Sequence, residues 1–155
     1  ICFIWRAAPG YPVEFVSDNI AQLGYSPDDF IVNGLSFASI IHPDDLDRVS
    51  SEVTQYTEQM VNEFEQEYRL LTKSGAEVWI DDHTWVRRDH HGDVIHYQGI
   101  VLDITARKHA EAETARVQVE LERSLRFTRS LLDAVPTPVF SVRRSQLQRA
   151  SSRRR

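Results

Sequence analysis

Residues 99–105 form a hydrophobic run, Gly99-Ile100-Val101-Leu102-Asp103-Ile104-Thr105, and a charged helical pattern begins directly after it at Ala106-Arg107-Lys108-His109-Ala110-Glu111. A strand that passes into a long helix without a loop is a mechanical constraint. Any movement of the sheet before Asp103 is handed to the helix after Thr105. The junction predicts a sensor with an output rod rather than an enzyme.

Composition narrows the class. The 155 residues are 41% hydrophobic and 26% charged, ordinary for one globular domain with a core and some chain to spare. The single cysteine, Cys2, supports neither a disulfide framework nor a structural zinc site. No apolar run approaches the roughly 18–20 residues of a membrane span. A cytoplasmic location is therefore expected, with any membrane attachment lying outside this stretch. The net charge of -5 is uneven. Residues 143–155 carry six arginines and no acid, which leaves 12 basic against 23 acidic residues in the rest. That acidic body argues against nucleic-acid binding, and the tail reads as disordered.

Local patterns give the element order. Residues 2–7 alternate as a strand, Ala8-Pro9-Gly10-Tyr11-Pro12 is a turn, and Val13–Val16 completes a hairpin. Short helices follow, with Ser26 as cap and Pro27 at the first helical position of one of them. His42-Pro43-Asp44-Asp45 opens a longer helix with Leu46, Val49, Val53, Tyr56 and Met60 on one face. Three strands, about Phe64–Thr72, Val78–Val86 and Val94–Ile104, form a meander. The result is an α+β domain with one antiparallel sheet. The apolar last strand is expected at its centre.

From residue 106 to 135 the period becomes helical. Ala110, Thr114, Val117, Leu121, Leu125, Thr128, Leu132 and Val135 fall at heptad spacings with one extra step at Leu121, a stutter. Val117, Leu121, Leu125 and Leu132 are the expected contacts of a homodimer through this helix.

Taken in order, these pieces resemble a PAS domain with its C-terminal PAC motif. The matching pieces are Tyr25-Ser26-Pro27-Asp28-Asp29-Phe30, Ile41-His42-Pro43-Asp44-Asp45, Glu67-Tyr68-Arg69-Leu70, Gly75-Ala76-Glu77-Val78-Trp79-Ile80 and the Gly99 to Thr105 ending. The resemblance implies a five-stranded sheet of order 2-1-5-4-3 with helices on one face. It also implies a sensory module for a small ligand, light, redox state or partner. The effector is expected to be a sensor histidine kinase, with a diguanylate cyclase as the alternative and a ligand-free dimerisation or spacer role as another. No catalytic activity is expected of the chain itself. Neighbouring PAS, kinase or cyclase domains are the implied partners. The organisation reads as a sensory domain at 1–105, a coiled-coil signalling helix at 106–135, the start of a second such module at 136–142 and a basic tail at 143–155.

Asp103, Ile104 and Thr105 are the candidate signal-transmission residues. Thr105 is expected to cap the outgoing helix with its hydroxyl. Trp5, Phe15, Ile41, Tyr68, Trp85 and Tyr97 are the candidate pocket lining. His42 lacks a second ligand at useful spacing, so no metal site is expected. The cofactor is open, with two disfavoured. Haem-binding relatives use a histidine on the long helix, and residues 44–60 contain none. The flavin branch uses an Asn-Cys-Arg-type motif, whereas Cys2 lies in the first strand. Asp81 and Asp82 are adjacent on a strand, face opposite ways and do not form a carboxylate pair.

Overall fold

The computed structural model describes residues 1–134. Strands β1 (Cys2–Arg6) and β2 (Val13–Val16) form the first hairpin. Its turn places Gly10 and Tyr11 at φ 81° and 51°. The left-handed conformation favours glycine and is strained for tyrosine. Two 3-10 segments, Asp18–Leu23 and Phe37–Ile40, flank the short helix α1 (Pro27–Ile31). In α1, Ser26 and Asp29 exchange side-chain and backbone hydrogen bonds in a capping box.

Helix α2 (Pro43–Glu58) starts at His42, whose Nδ1 accepts from the Asp44 N–H at 3.2 Å. Val49 and Val53 are buried, and Leu46 and Tyr56 pack against the core. Met60 departs from the predicted seam. It lies beyond the helix at φ 59° and is exposed.

Strands β3 (Glu63–Leu71), β4 (Glu77–Arg88) and β5 (Val94–Asp103) complete a sheet of order β2-β1-β5-β4-β3, antiparallel throughout. The strands, their order and the helices between them are those the sequence resemblance implies. Helix α3 (Thr105–Ala134) follows at once.

Register decides which side chains enter the core. Phe3, Gly99, Thr84 and Phe64 lie in one row across the sheet, and Trp5, Tyr97 and Val86 in the next. Phe3 stacks on Trp5 at 5.2 Å, and Phe37 closes on Trp5 from the helical side at 4.9 Å. β5 is central in the sheet, as expected. Tyr97, Gly99 and Val101 point inward, whereas Ile100 and Leu102 are 39% and 55% exposed on the outer face.

The chain divides into two compact units, residues 1–113 and the part from Thr114 onward. Within the second unit, residues 114–134 are helical and exposed. Val135, the 136–142 module start and the 143–155 tail lie outside the described residues.

Candidate functional site

Between sheet and helices lies a partly open cavity of about 30 Å³. A buried water needs roughly 10–15 Å³ on this measure, so the space holds two or three heavy atoms. Trp5, Ile41, Tyr68 and Tyr97 line it together, joined by Tyr11, Phe37, Phe64 and three polar residues, Gln66, Asp82 and Thr84. Phe15 and Trp85 do not reach it. Phe15 sits opposite Ile4 on the outer face and is 47% exposed. Trp85 shares the outward parity of Asp81 and His83, stacks on His83 at 4.4 Å and donates from Nε1 to Glu63 at 3.1 Å. Both face away for one reason: strand side chains alternate, and their inward neighbours are Val16, Thr84 and Val86.

Asp82 is the chemical centre of the cavity. It is 4% exposed. Oδ2 accepts from the Tyr68 hydroxyl at 2.7 Å and Oδ1 from the Thr84 hydroxyl at 2.9 Å. Burial lifts its pKa to about 6 despite these two donors. Burial and the neighbouring carboxylate together push the Tyr68 phenol well above its ordinary value. Trp5 contributes a buried indole N–H without a hydrogen-bond partner among the described residues. Gly99 makes the packing feasible. A Cβ there would meet the Trp5 ring at 2.5 Å and Asp82 Oδ1 at 2.9 Å. Sequence parity held a signal for Asp82: Ile80 and Val86 both belong inside, and Asp82 and Thr84 share their register.

The strand-to-helix junction is built differently from the expected cap. The Thr105 hydroxyl does not cap α3. Its Oγ1 accepts from the Trp79 N–H of β4 at 3.0 Å. Asp103 supplies the local bond instead, with Oδ1 accepting from the Thr105 N–H at 2.8 Å. Ile104 donates from its backbone to the Trp79 carbonyl at 2.9 Å. Trp79 is thus held by Ile104 and Thr105, where the strand gives way to the helix. The exchange has a simple cause. Thr105 lies beside β4, where an unpaired strand N–H competes for its oxygen.

A second tie is ionic. Glu67 of β3 accepts from Arg107 at 2.6 Å and pairs with Lys108 of α3. These two cations hold the Glu67 carboxyl below the usual range, Lys108 contributing most. Lys108 also lies 5.2 Å from the centre of the Trp79 ring, and Arg69 lies 5.6 Å from it. Arg69 reaches α2 through Asp45, with bonds of 2.9 and 3.0 Å. That pairing lowers the Asp45 pKa. Glu67 escaped sequence reasoning because only the fold brings residues 67, 107 and 108 together.

The remaining candidates are placed without a common site. His42 caps α2 and its Nε2 is 3.2 Å from Glu77. Cys2 is exposed on β1. A cofactor-sized ligand needs roughly 300–1,000 Å³, about ten times the space between sheet and helices here. Val117, Leu121, Leu125 and Leu132 are 56%, 58%, 61% and 69% exposed along α3. Among the described residues no helix is long and apolar enough to cross a membrane.

Comparison with known proteins meets this geometry. Residues 13–101 match a family model described as the PAS fold. A methyl sulfide methyltransferase-associated sensor of Methanosarcina acetivorans is 52% identical over 111 residues, covering 72% of this chain and 11% of that protein. The chain thus spans about a tenth of the length of the curated relatives it matches. A sensory box histidine kinase/response regulator of Burkholderia thailandensis superposes with a TM-score of 0.63 at 26% identity, covering 79% of this chain and 89% of that one. The N-terminal domain of a diguanylate cyclase with a PAS/PAC sensor, from Marinobacter aquaeolei, gives 0.57 at 28% identity, covering 70% and 100%. The matched stretch runs from the second strand into the last, around the cavity and up to the junction, and the chain belongs to the PAS-fold family of sensory domains.

Proposed function

We propose that the chain is a non-catalytic sensory module. It reads a small occupant of the Asp82 cavity and relays the reading through α3 to an effector. One observation carries this. β4 places Asp82 and Thr84 on the cavity and, three residues before Asp82, fixes the start of α3 through both backbone groups of Trp79. A shift of β4 that follows a change at Asp82 moves the anchor of the helix.

The effector of this reading is a sensor histidine kinase, in line with the kinase among the similar structures. The helix after Thr114 pairs with a second copy through Val117, Leu121, Leu125 and Leu132. Its stutter offers two rotational registers to a two-state rod. Asp103, Ile104 and Thr105 are the transmission residues. The small volume of the cavity favours one competing reading, a ligand-free dimerisation module.

The test is a chimaera in which this chain replaces the PAS module directly upstream of a histidine-kinase core. Asp103→Ala should change autophosphorylation several-fold while the domain still melts cooperatively. Unchanged output with an intact fold contradicts the relay and leaves the dimerisation reading.

A further inference from the structure

Resting on the reading of the cavity as a sensory site, we propose that it takes a small organic cation, an ammonium ion of one to three heavy atoms held by Asp82. Three features converge on that chemistry.

The first is an uncompensated carboxylate. Of about four acceptor positions on an ionised carboxyl, the Tyr68 and Thr84 hydroxyls fill two. Among the described residues lining the cavity there is no lysine, arginine or histidine. A buried charge without a counter-charge is costly, and an N–H-bearing cation supplies both the charge and the missing donors. An anion would meet repulsion there.

The second is the lining. Trp5, Phe37, Phe64 and Tyr97 surround the same space, and aromatic faces attract alkylammonium groups. The third is size. About 30 Å³ admits methylammonium or ethylammonium and excludes bulkier amines.

A groove adjoins the cavity. An open groove of about 550 Å³ shares Tyr11, Val53 and Tyr97 with the cavity. Tyr11 and Tyr97 meet edge to face at 6.2 Å across this shared wall. Among the described residues lining the groove the one charged residue is Asp47, which favours a cation there.

So small a ligand sets its own ceiling, a Kd of about 0.5 mM at best for three heavy atoms. The experiment is therefore a millimolar titration of the ¹⁵N-labelled full chain with methylammonium and ethylammonium chloride at fixed ionic strength. The Trp5 indole N–H is the reporter, and acetonitrile is the neutral probe of equal size. Saturable shifts at Trp5 with the ammonium salts are expected, weakened at least tenfold in Asp82→Asn, with acetonitrile unaffected by that change. Thr84→Val keeps the shape of the strand and frees Oδ1, so at a pH high enough to keep the Asp82 carboxyl ionised it should still bind methylammonium. Loss of binding in Thr84→Val overturns the proposal. Acetonitrile binding without ammonium binding overturns the cation and leaves the cavity as a sensory site. Failure of every probe overturns both.

Discussion

Asp82 makes the fold sensitive to pH in a direction opposite to most carboxylates. Its pKa rises from 3.8 to about 6 in the folded chain, so the folded state holds the proton more tightly than the unfolded one. Stability therefore falls as pH rises from about 4 to 6, by up to about 3 kcal/mol, and is flat in this contribution above that. Asp45 and Glu67, with lowered pKa values, act the other way and lose their contribution as pH falls through the acid range. Urea unfolding of Asp82→Asn against the unaltered chain isolates the first effect, since the variant should lack the decline between pH 4 and 6. Parallel pH profiles would contradict the buried carboxylate. Gly99→Ala should cost about 1–3 kcal/mol, because the new methyl would meet the Trp5 ring at 2.5 Å and Asp82 Oδ1 at 2.9 Å and force one of them to shift; a melting midpoint within error of the unaltered chain would refute that packing. These residues divide what the sequence made legible from what it hid. The alternation of Ile80, Asp82, Thr84 and Val86 was readable, and it placed the adjacent carboxylates on opposite faces. It did not show which one faced the core, because that depends on the partner strands. The same parity put Phe15 and Trp85 outside, although aromatic character alone had marked them as lining.

Among the elements, β4 and α3 carry the proposed relay. The junction was visible as an uninterrupted run from Gly99 into a charged helix, and the strand order followed from the family pattern. The partners of the junction were hidden. Thr105 satisfies β4 rather than its own helix, and Glu67 meets Arg107 and Lys108 across 40 residues of sequence. Pairings of that kind are set by tertiary register, on which local propensity is silent. Thr105→Val removes the acceptor of the Trp79 N–H and should destabilise the domain by about 1–2 kcal/mol. Glu67→Gln should cost less, about 0.5 kcal/mol, because its ion pairs are half exposed and screened. Thermal melts of both variants at low and high salt check the order. A Glu67→Gln loss larger than that of Thr105→Val would reverse the assignment of which tie dominates, and a loss that does not shrink at high salt would contradict the ion pairs.

For the whole molecule, two readouts follow from one arrangement. The exposed seam of α3 predicts a dimer through Val117, Leu121, Leu125 and Leu132. A Leu121→Glu and Leu125→Glu double variant should sediment as a monomer while the sheet domain melts as before. A monomeric unaltered chain would remove the paired rod from the account. The central claim is the coupling of the Asp82 cavity to the start of α3, and it does not depend on oligomeric state or ligand. Amide hydrogen exchange at Ile104, Thr105 and Lys108, compared between the unaltered chain and Asp82→Asn at pH 7, tests it most directly. Coupling through β4 predicts at least a several-fold change at these three amides, with Trp79 moving alongside them. Changes confined to Tyr68, Thr84 and the cavity wall, with the junction unmoved, would contradict it.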